Sequence, residues 1–291
     1  MRATAAAMIA VFIVASCTSA VAPPPSATGP AAAGLTKLPL GDGKRSTSAQ
    51  VGWMWSCALQ TGGGGAQVQG PWIHGTTWDM TAKVAVSGSV SWPHQTQVTL
   101  DGATRVITSN GLPDHPSGVF PVETGDPAYQ YDRNPNRIAA QSLSYRLPAN
   151  PVAGTPQCGG GTVGISLEGG MIFNSFDAQS KDAVGNEVQD KCGGHPERTG
   201  RYQFHGLPLC FADTTSGHST LYGYSFDGFG IYGVRGVDGR TLANVDLDEC
   251  HGHVHEITWD GVTKAMYHYH FTYAYPYTLG CYRGQPVRVG P

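Results

Sequence analysis

Charged side chains are scarce in this chain, where Lys, Arg, Asp and Glu make up 13% of 291 residues. That is about half of the usual quarter. The formal net charge is only -3, and no long block of Lys and Arg occurs. Binding to a nucleic-acid backbone depends on clustered basic side chains. The composition therefore excludes a nucleic-acid partner, and it is also untypical of a coiled coil.

Several signature motifs are also missing. The sequence has no C-x-x-C pair, no H-E-x-x-H helix and no G-x-S-x-G turn, which argues against a zinc ribbon, a zincin and a serine hydrolase. No segment approaches the roughly 20 consecutive apolar residues of a transmembrane helix. Any chemistry of this protein must therefore come from another arrangement of side chains.

Glycine and proline are abundant, with 40 and 20 residues respectively, about twice their average share. Between turns, apolar and polar residues alternate with period two, which predicts strands over 83–92, 95–100 and 104–108. Only residues 180–190 have a helical pattern. We expect a mainly β fold: an antiparallel, β-sandwich-like domain with little helix.

The N-terminus predicts export. Arg2 precedes an apolar run from Ala5 to Ala15, which is typical of a signal peptide. The residues before Cys17 resemble a bacterial lipobox, so we expect Cys17 to be lipidated and to anchor the protein to the membrane of the cell envelope. The alternative is an ordinary secretory signal cleaved after Ala20 or Ala22.

Residues 18–50 are rich in Ala, Pro, Ser, Thr and Gly, which predicts a disordered tether. Residues 51–291 are then expected to form a single β-rich domain outside the cytoplasm, linked to the membrane by the lipid. The sequence does not identify a protein partner.

Six cysteines remain after Cys17, an even number that suits an oxidising compartment and three disulfides. Six cysteines allow fifteen connectivities. The six residues are Cys57, Cys158, Cys192, Cys210, Cys250 and Cys281.

An internal repeat occupies the second half, with copies at about 164–210 and 223–281. Cys192 corresponds to Cys250 at an offset of 58 residues, and Glu168 corresponds to Asp227 at an offset of 59. His195, Tyr202, His205 and Cys210 have counterparts in His253, Tyr267, His270 and Cys281. One supersecondary unit is thus expected twice, around a pseudo-twofold axis.

The repeat narrows the disulfide pairing to two symmetric schemes. Either Cys192 pairs with Cys210 and Cys250 with Cys281, or Cys192 pairs with Cys250 and Cys210 with Cys281. We favour pairing within each copy, which leaves Cys57 to pair with Cys158.

The motifs of the second half resemble a known family. The tetrapeptide Tyr267-His268-Tyr269-His270 follows LDECHGH from Leu247 and precedes PYTLGCYRG from Pro276. Together with residues 190–210, GHSTLYGYSFDGFGIYG from Gly217 and SNGLPDHPSGVFP from Ser109, it resembles the YHYH domain family. The resemblance covers most of residues 70–284, but the first copy has Gln203 where a full tetrapeptide has histidine.

Five of the eleven histidines fall within twenty residues, in HGHVH from His251 and in the tetrapeptide. In a strand, alternate residues share one face, and Asp260-Gly261 predicts a hairpin between the two runs. We therefore predict a Zn²⁺ or Cu²⁺ site, formed by His253, His255, His268 and His270.

His195, His205 and His251 are weaker candidate ligands. With a pseudo-twofold axis, His195 and His205 are expected to meet His253 and His270 at that axis. The competing interpretation is that all these imidazoles are saturated by structural hydrogen bonds.

Three functions follow from these expectations. The domain binds or buffers a transition metal near the membrane. Alternatively, it is a metal-dependent hydrolase of an extracellular substrate, with Asp227 or Glu256 as the general base. As a third possibility, it is a structural or adhesive surface lipoprotein without metal. We favour the first hypothesis, metal binding.

Overall fold

The protein is described here by a computed structural model, which covers residue 1 and residues 34–57, 62 and 64–288. The predicted signal peptide, Cys17 and the tether up to residue 33 lie outside the described residues. Within the described part of the chain, none of the helices is both long and apolar enough to cross a bilayer.

Short strands dominate the secondary structure, as the turn-rich composition predicts. Two 3₁₀ turns, at Pro127–Gln130 and Asn244–Asp246, lie in the connections. The strands are β1 (Leu38–Pro39), β2 (Arg45–Ser46), β3 (Met54–Trp55), β4 (Ile73–His74), β5 (Thr77–Trp78), β6 (Thr96–Asp101), β7 (Thr104–Ser109), β8 (Leu143–Pro148), β9 (Thr162–Ser166), β10 (Met171–Phe173), β11 (Gly194–Pro196), β12 (Tyr202–Phe204), β13 (Leu221–Ser225), β14 (Gly230–Tyr232), β15 (Gly252–Trp259) and β16 (Val262–His270), and helix α1 is Ala183–Asn186.

Eight strands form one large sheet in the order β11-β12-β10-β9-β13-β14-β16-β15. Its central pair, β9 and β13, is antiparallel, with Gly223 opposite Ser166 and Ser225 opposite Gly164. Outward from this pair, both sides add an antiparallel strand, then a parallel one, then an antiparallel one. The predicted duplication is confirmed, and the pseudo-twofold axis passes between β9 and β13.

A second sheet, β6-β7-β8, packs on the large sheet. Ile107 of β7 and Leu147 of β8 are buried in one hydrophobic core with Ile165 of β9. The guanidinium of Arg105 lies in the same layer, 4.7 Å from the ring of Trp259. A buried cation needs such partners because desolvation disfavours its charge. The predicted mainly β, sandwich-like architecture is confirmed.

The N-terminal strands correct the predicted tether. Residues 34–50 belong to the folded part: β1 pairs with β5, and Leu38 and Leu40 are buried in a second core with Trp72, Tyr275 and other apolar residues. The prediction failed because two leucines in a polar segment give a weak local signal. Their burial depends on partners more than 30 residues away.

Two local predictions were also wrong. Residues 83–92 form no regular strand and contribute only single bridges, at Val86 and Val90. The helix predicted for 180–190 is reduced to α1, whose N-cap is Asp182. In both segments tertiary contacts override the local pattern.

All three disulfides join the expected partners. Cys192 pairs with Cys210 and Cys250 with Cys281, so each copy closes its own loop. Cys57 pairs with Cys158. Pairing within each copy is confirmed, and three disulfides indicate an oxidising environment outside the cytoplasm.

Candidate metal centre

The hairpin of β15 and β16 positions the histidines. Its turn is Asp260-Gly261, and both residues have positive φ (50° and 80°), as a two-residue type I′ turn requires. In the register this turn sets, His253 lies directly opposite His268. The hairpin predicted from the sequence is therefore present, and it brings the two histidine runs side by side.

The opposite face of the hairpin belongs to the tyrosines of the tetrapeptide. Tyr267 donates to Asp248 Oδ1 (2.9 Å) and Tyr269 donates to Asp227 Oδ2 (2.6 Å). Because strand residues alternate in direction, the tyrosine hydroxyls pin one face of β16 while the imidazoles project from the other. The tyrosines therefore have a positioning role.

Five imidazoles converge on the histidine face. Their ligand atoms all lie within 4.8 Å of one another. Ring centroids are 4.8 Å apart for His253 and His268, 4.5 Å for His255 and His268, and 5.0 Å for His268 and His270. We call this set the histidine cluster: His218, His253, His255, His268 and His270.

His218 is the member that sequence reasoning missed. It lies in the loop before β13, 50 residues from the tetrapeptide, and no other histidine stands near it in the sequence. Parallel pairing of β14 with β16 brings this loop next to the hairpin. No local signal could have identified His218, because its proximity to the cluster is a property of strand order.

Each imidazole of the histidine cluster is oriented by a backbone group. Nδ1 contacts a backbone carbonyl oxygen at 2.8 Å in His218, 3.0 Å in His255, 2.9 Å in His268 and 2.6 Å in His270. His253 bonds to the backbone of Asp246. A carbonyl only accepts hydrogen bonds, so Nδ1 carries the proton and Nε2 presents a lone pair.

The resulting lone pairs face one another. His218 Nε2 lies 3.1 Å from His268 Nε2. The Nε2 atoms of His253, His255 and His270 are buried without a hydrogen-bond partner in the described structure. Each buried lone pair without a donor destabilises the fold by about 1–3 kcal/mol, because its desolvation is not compensated by a hydrogen bond. A cation at their centre would remove that cost.

Burial keeps four rings of the cluster neutral. Desolvation lowers the pKa of His268 to about 2 and those of His218 and His253 to about 4, and neighbouring imidazoles add to the shift. The pKa of His270 is lowered for the same reasons. Metals bind the neutral imidazole, so these four residues are in their ligand form at neutral pH.

The spacing fits one ion. In a tetrahedral shell with Zn–N bonds of about 2.1 Å, the ligand atoms lie about 3.4 Å apart. Since all five atoms lie within 4.8 Å of one another, bringing the widest pair to that spacing requires each of its atoms to move by about 0.7 Å. Backbone bonds to Nδ1 are the outer support that metal-binding imidazoles usually have.

The two candidate general bases lie elsewhere. Asp227 is buried on the tyrosine side, where Ser225, Tyr269 and the backbone of Gly284 donate to it. Glu256 is exposed and alternates away from His255. The structure therefore brings neither carboxylate to the cluster.

Two other carboxylates lie near the cluster, and each forms an ion pair with an arginine. The charge of Asp213 partly offsets the lowering of the His218 pKa, and Asp213 bonds to Arg235 at 2.9 Å. The charge of Asp246 does the same for the His253 pKa, and Asp246 bonds to Arg240 at 2.9 Å. Because each has a guanidinium partner, neither is free to serve as a base.

His251, a weaker candidate, is not part of the cluster. It precedes β15 with φ 73°, so it leaves the strand alternation on which its assignment rested. Its Nε2 lies 3.0 Å from Thr272 Oγ1, and burial lowers its pKa to about 3. His251 is a hydrogen-bonded structural residue.

His195 and His205 form a separate group in the first copy, with Glu187. The expectation that they meet His253 and His270 at the pseudo-twofold axis was wrong. The axis lies in the middle of the sheet, whereas β11-β12 and β16-β15 are its two ends. A third group, around His115, contains Cys192 and Cys210, whose sulfurs are bonded to each other.

Fold and site define a duplicated, disulfide-linked β domain with a partly buried histidine cluster at one end of its main sheet. Residues 144–244 match the sequence profile of a family described as YHYH protein. Over this segment the chain is similar to that family. The match spans strands β9–β14 with His218, and the tetrapeptide lies beyond it. Neither a curated protein nor a solved structure matches the chain significantly.

Proposed function

We propose that this domain binds a transition-metal ion, Zn²⁺ or Cu²⁺, through the histidine cluster. The observation that carries the proposal is the 3.1 Å approach of His218 Nε2 to His268 Nε2. Both rings donate from Nδ1 to a carbonyl, so two lone pairs oppose each other. Neutral imidazoles hold such an arrangement when a cation accepts both lone pairs.

The proposed place of action is the outer side of a bacterial membrane. Lipidation of Cys17 would anchor the protein in the cell envelope, and the Ala- and Pro-rich segment before residue 34 would hold the domain away from the bilayer. Three disulfides suit this oxidising location, where thiolates are not available as ligands. A metal-capturing or metal-buffering role needs only a tight site and this location.

The surroundings of the cluster favour binding over hydrolysis. A hydrolytic site keeps an open position with a base beside it. Here Asp213 and Asp246 are paired with arginines, and five imidazoles exceed the four ligands of a closed Zn²⁺ shell. We therefore do not advance the hydrolase as a second proposal.

The test is metal binding by the full-length protein after chelator treatment. Zn²⁺ and Cu²⁺ are titrated in separate experiments, and Kd is measured for the wild type and for His268→Ala. Structural Zn²⁺ sites contribute about 10–16 kcal/mol over about four ligands, or roughly 3 kcal/mol per ligand. We expect His268→Ala to weaken binding by about 100-fold.

His74→Ala is the matched control, because His74 is an exposed histidine outside the cluster and its loss should leave Kd unchanged. Retention of less than about a tenth of an equivalent of either metal by the wild type would contradict the proposal. An equal loss of affinity in His74→Ala would show that binding is not specific to the cluster.

A further inference from the structure

The first copy contains a site that corresponds position by position to part of the histidine cluster. In the β11-β12 pair His195 lies directly opposite Gln203, as His253 lies opposite His268 in β15-β16. His205 has the position in this site that His270 has in the histidine cluster. Its fourth member, Glu187, comes from the loop after α1. We call Glu187, His195, Gln203 and His205 the first-copy site.

The equivalence extends to the support of His205, whereas His195 Nδ1 faces the side-chain amide of Asn134 at 3.4 Å. His205 Nδ1 contacts the carbonyl of Asn174 at 2.6 Å, and His270 Nδ1 contacts the carbonyl of Gly233 at the same distance. Asn174 and Gly233 follow the corresponding strands β10 and β14. His205 therefore presents its Nε2 lone pair inward, as a metal-binding imidazole does.

Distances within the first-copy site are too long for direct hydrogen bonds and suit a shared ion. Glu187 Oε2 lies 3.6 Å from His195 Nε2 and 3.7 Å from His205 Nε2, beyond the 2.7–3.2 Å of a hydrogen bond. In a tetrahedral shell with bonds of about 2.0–2.2 Å, neighbouring ligands are about 3.3–3.6 Å apart. The carboxylate and both imidazoles are thus spaced as ligands.

Two buried acceptors in the first-copy site have no partner in the described structure: Glu187 Oε2 and Gln203 Oε1. All four side chains of the site are less than a tenth exposed, so water does not replace the missing donors freely. The charged neighbours that act on Glu187 are Asp132, Asp177 and Lys83. Burial and the two aspartates raise the pKa of Glu187, so its ionised, metal-binding form would be stabilised by a divalent cation beside it.

Gln203 offers an alternative without metal. Its Nε2 lies 3.2 Å from His195 Nε2 and 3.0 Å from His205 Nε2, so the amide can donate to both rings. In that orientation neither Glu187 Oε2 nor Gln203 Oε1 accepts a hydrogen bond. Turning the carboxamide by 180° exchanges its oxygen and nitrogen at almost no steric cost and adds Gln203 Oε1 to the ligand set.

We propose that the first-copy site is a second metal site, in which His195 Nε2, His205 Nε2 and Glu187 Oε2 bind a divalent first-row cation and Gln203 Oε1 is the fourth ligand. Two oxygens and two nitrogens make this set harder than the histidine cluster, so the site suits Zn²⁺, Mn²⁺ or Fe²⁺. The two copies therefore differ in metal preference through the exchange of histidine for glutamine at position 203. The first-copy site is fully buried, which is typical of a structural metal site rather than a catalytic one.

The experiment counts bound Zn²⁺ in the chelator-treated full-length protein by elemental analysis after dialysis. We expect about two equivalents in the wild type and about one in Glu187→Gln, which removes the carboxylate charge at constant size. His253→Ala/His268→Ala, which leaves three of the five imidazoles, should also bind about one, at the first-copy site. The variant that combines these two changes with Glu187→Gln should bind about none. These separate losses distinguish failure of this site from failure of the histidine cluster.

Gln203→His keeps the test valid if Glu187→Gln does not fold. It installs the third imidazole that His268 supplies in the other copy, and it should retain about two equivalents while strengthening Cu²⁺ binding at the first-copy site at least tenfold. A wild type that binds one equivalent, lost in His253→Ala/His268→Ala and unchanged in Glu187→Gln, would overturn the proposal. Gln203 would then cap the two imidazoles as a hydrogen-bond donor.

Discussion

Below pH 6.5 the buried histidines should destabilise the metal-free protein, because they fold in the neutral form. Burial lowers the pKa of His268 to about 2, of His251 to about 3 and of His205 to about 4, against about 6.5 in the unfolded chain. Between the unfolded and folded pKa values, only the unfolded state binds the proton. The contribution of these histidines to stability is therefore complete above pH 6.5 and is lost as the pH falls.

The size of the effect follows from the shifts. One pKa unit corresponds to about 1.4 kcal/mol, so at pH 5 each of these three histidines favours unfolding by about 2 kcal/mol. The sum, roughly 6 kcal/mol, is opposed by buried carboxyl groups whose pKa is raised, that of Glu168 to about 8 and that of Asp182 to about 6, because these favour the folded state as the pH falls. Urea unfolding in the presence of a chelator, with disulfides intact, measures it at pH 7.5 and pH 5.

His251→Asn isolates one contribution. Asparagine tolerates the positive φ of this position and does not titrate, so the variant should lose about 1.4 kcal/mol less per pH unit below pH 6 than the wild type. His74→Asn, at an exposed position, should leave the slope unchanged. An equal change in the free energy of unfolding between pH 7.5 and pH 5 in His251→Asn and in the wild type would refute the assignment of a neutral buried imidazole to His251.

Two further predictions concern the tyrosine face and the N-terminus. Tyr269→Phe removes the 2.6 Å hydrogen bond to buried Asp227 and should lower the free energy of unfolding by about 1.5–3 kcal/mol; an unchanged urea midpoint would contradict this role. Cys17→Ala should move the full-length protein expressed in bacteria from the detergent phase to the aqueous phase, and unchanged partitioning would contradict lipidation.

Much of the site could be predicted because it is built from short-range spacing. Alternation placed His253 and His255 on one face of a strand, and Asp260-Gly261 has the dihedral preferences of a tight turn. These local rules were enough for the hairpin. The disulfide pairing followed from the repeat, because a duplicated unit places corresponding cysteines in corresponding positions.

The same local reasoning failed where neighbours in space are distant in sequence. His218 has no periodic context, and Asp227 stands in a turn whose orientation is set by donors from β16 and from residues 283–284. Leu38 and Leu40 carry too little apolar area alone to predict folding. Their burial depends on a core assembled from strands and loops throughout the chain.

The sequence by itself determined the elements: short strands, a duplicated unit, an even set of cysteines in the domain and imidazoles at strand spacing. Each of these depends on steric and hydrogen-bonding rules that act over a few residues, or on the repetition of a motif. The tertiary structure alone decided that the two histidine groups lie at opposite ends of one sheet, that His218 completes one and Glu187 the other, and that the tyrosines support the site from behind. Strand order decides these points, because it brings side chains together by pairing energies summed over the whole sheet.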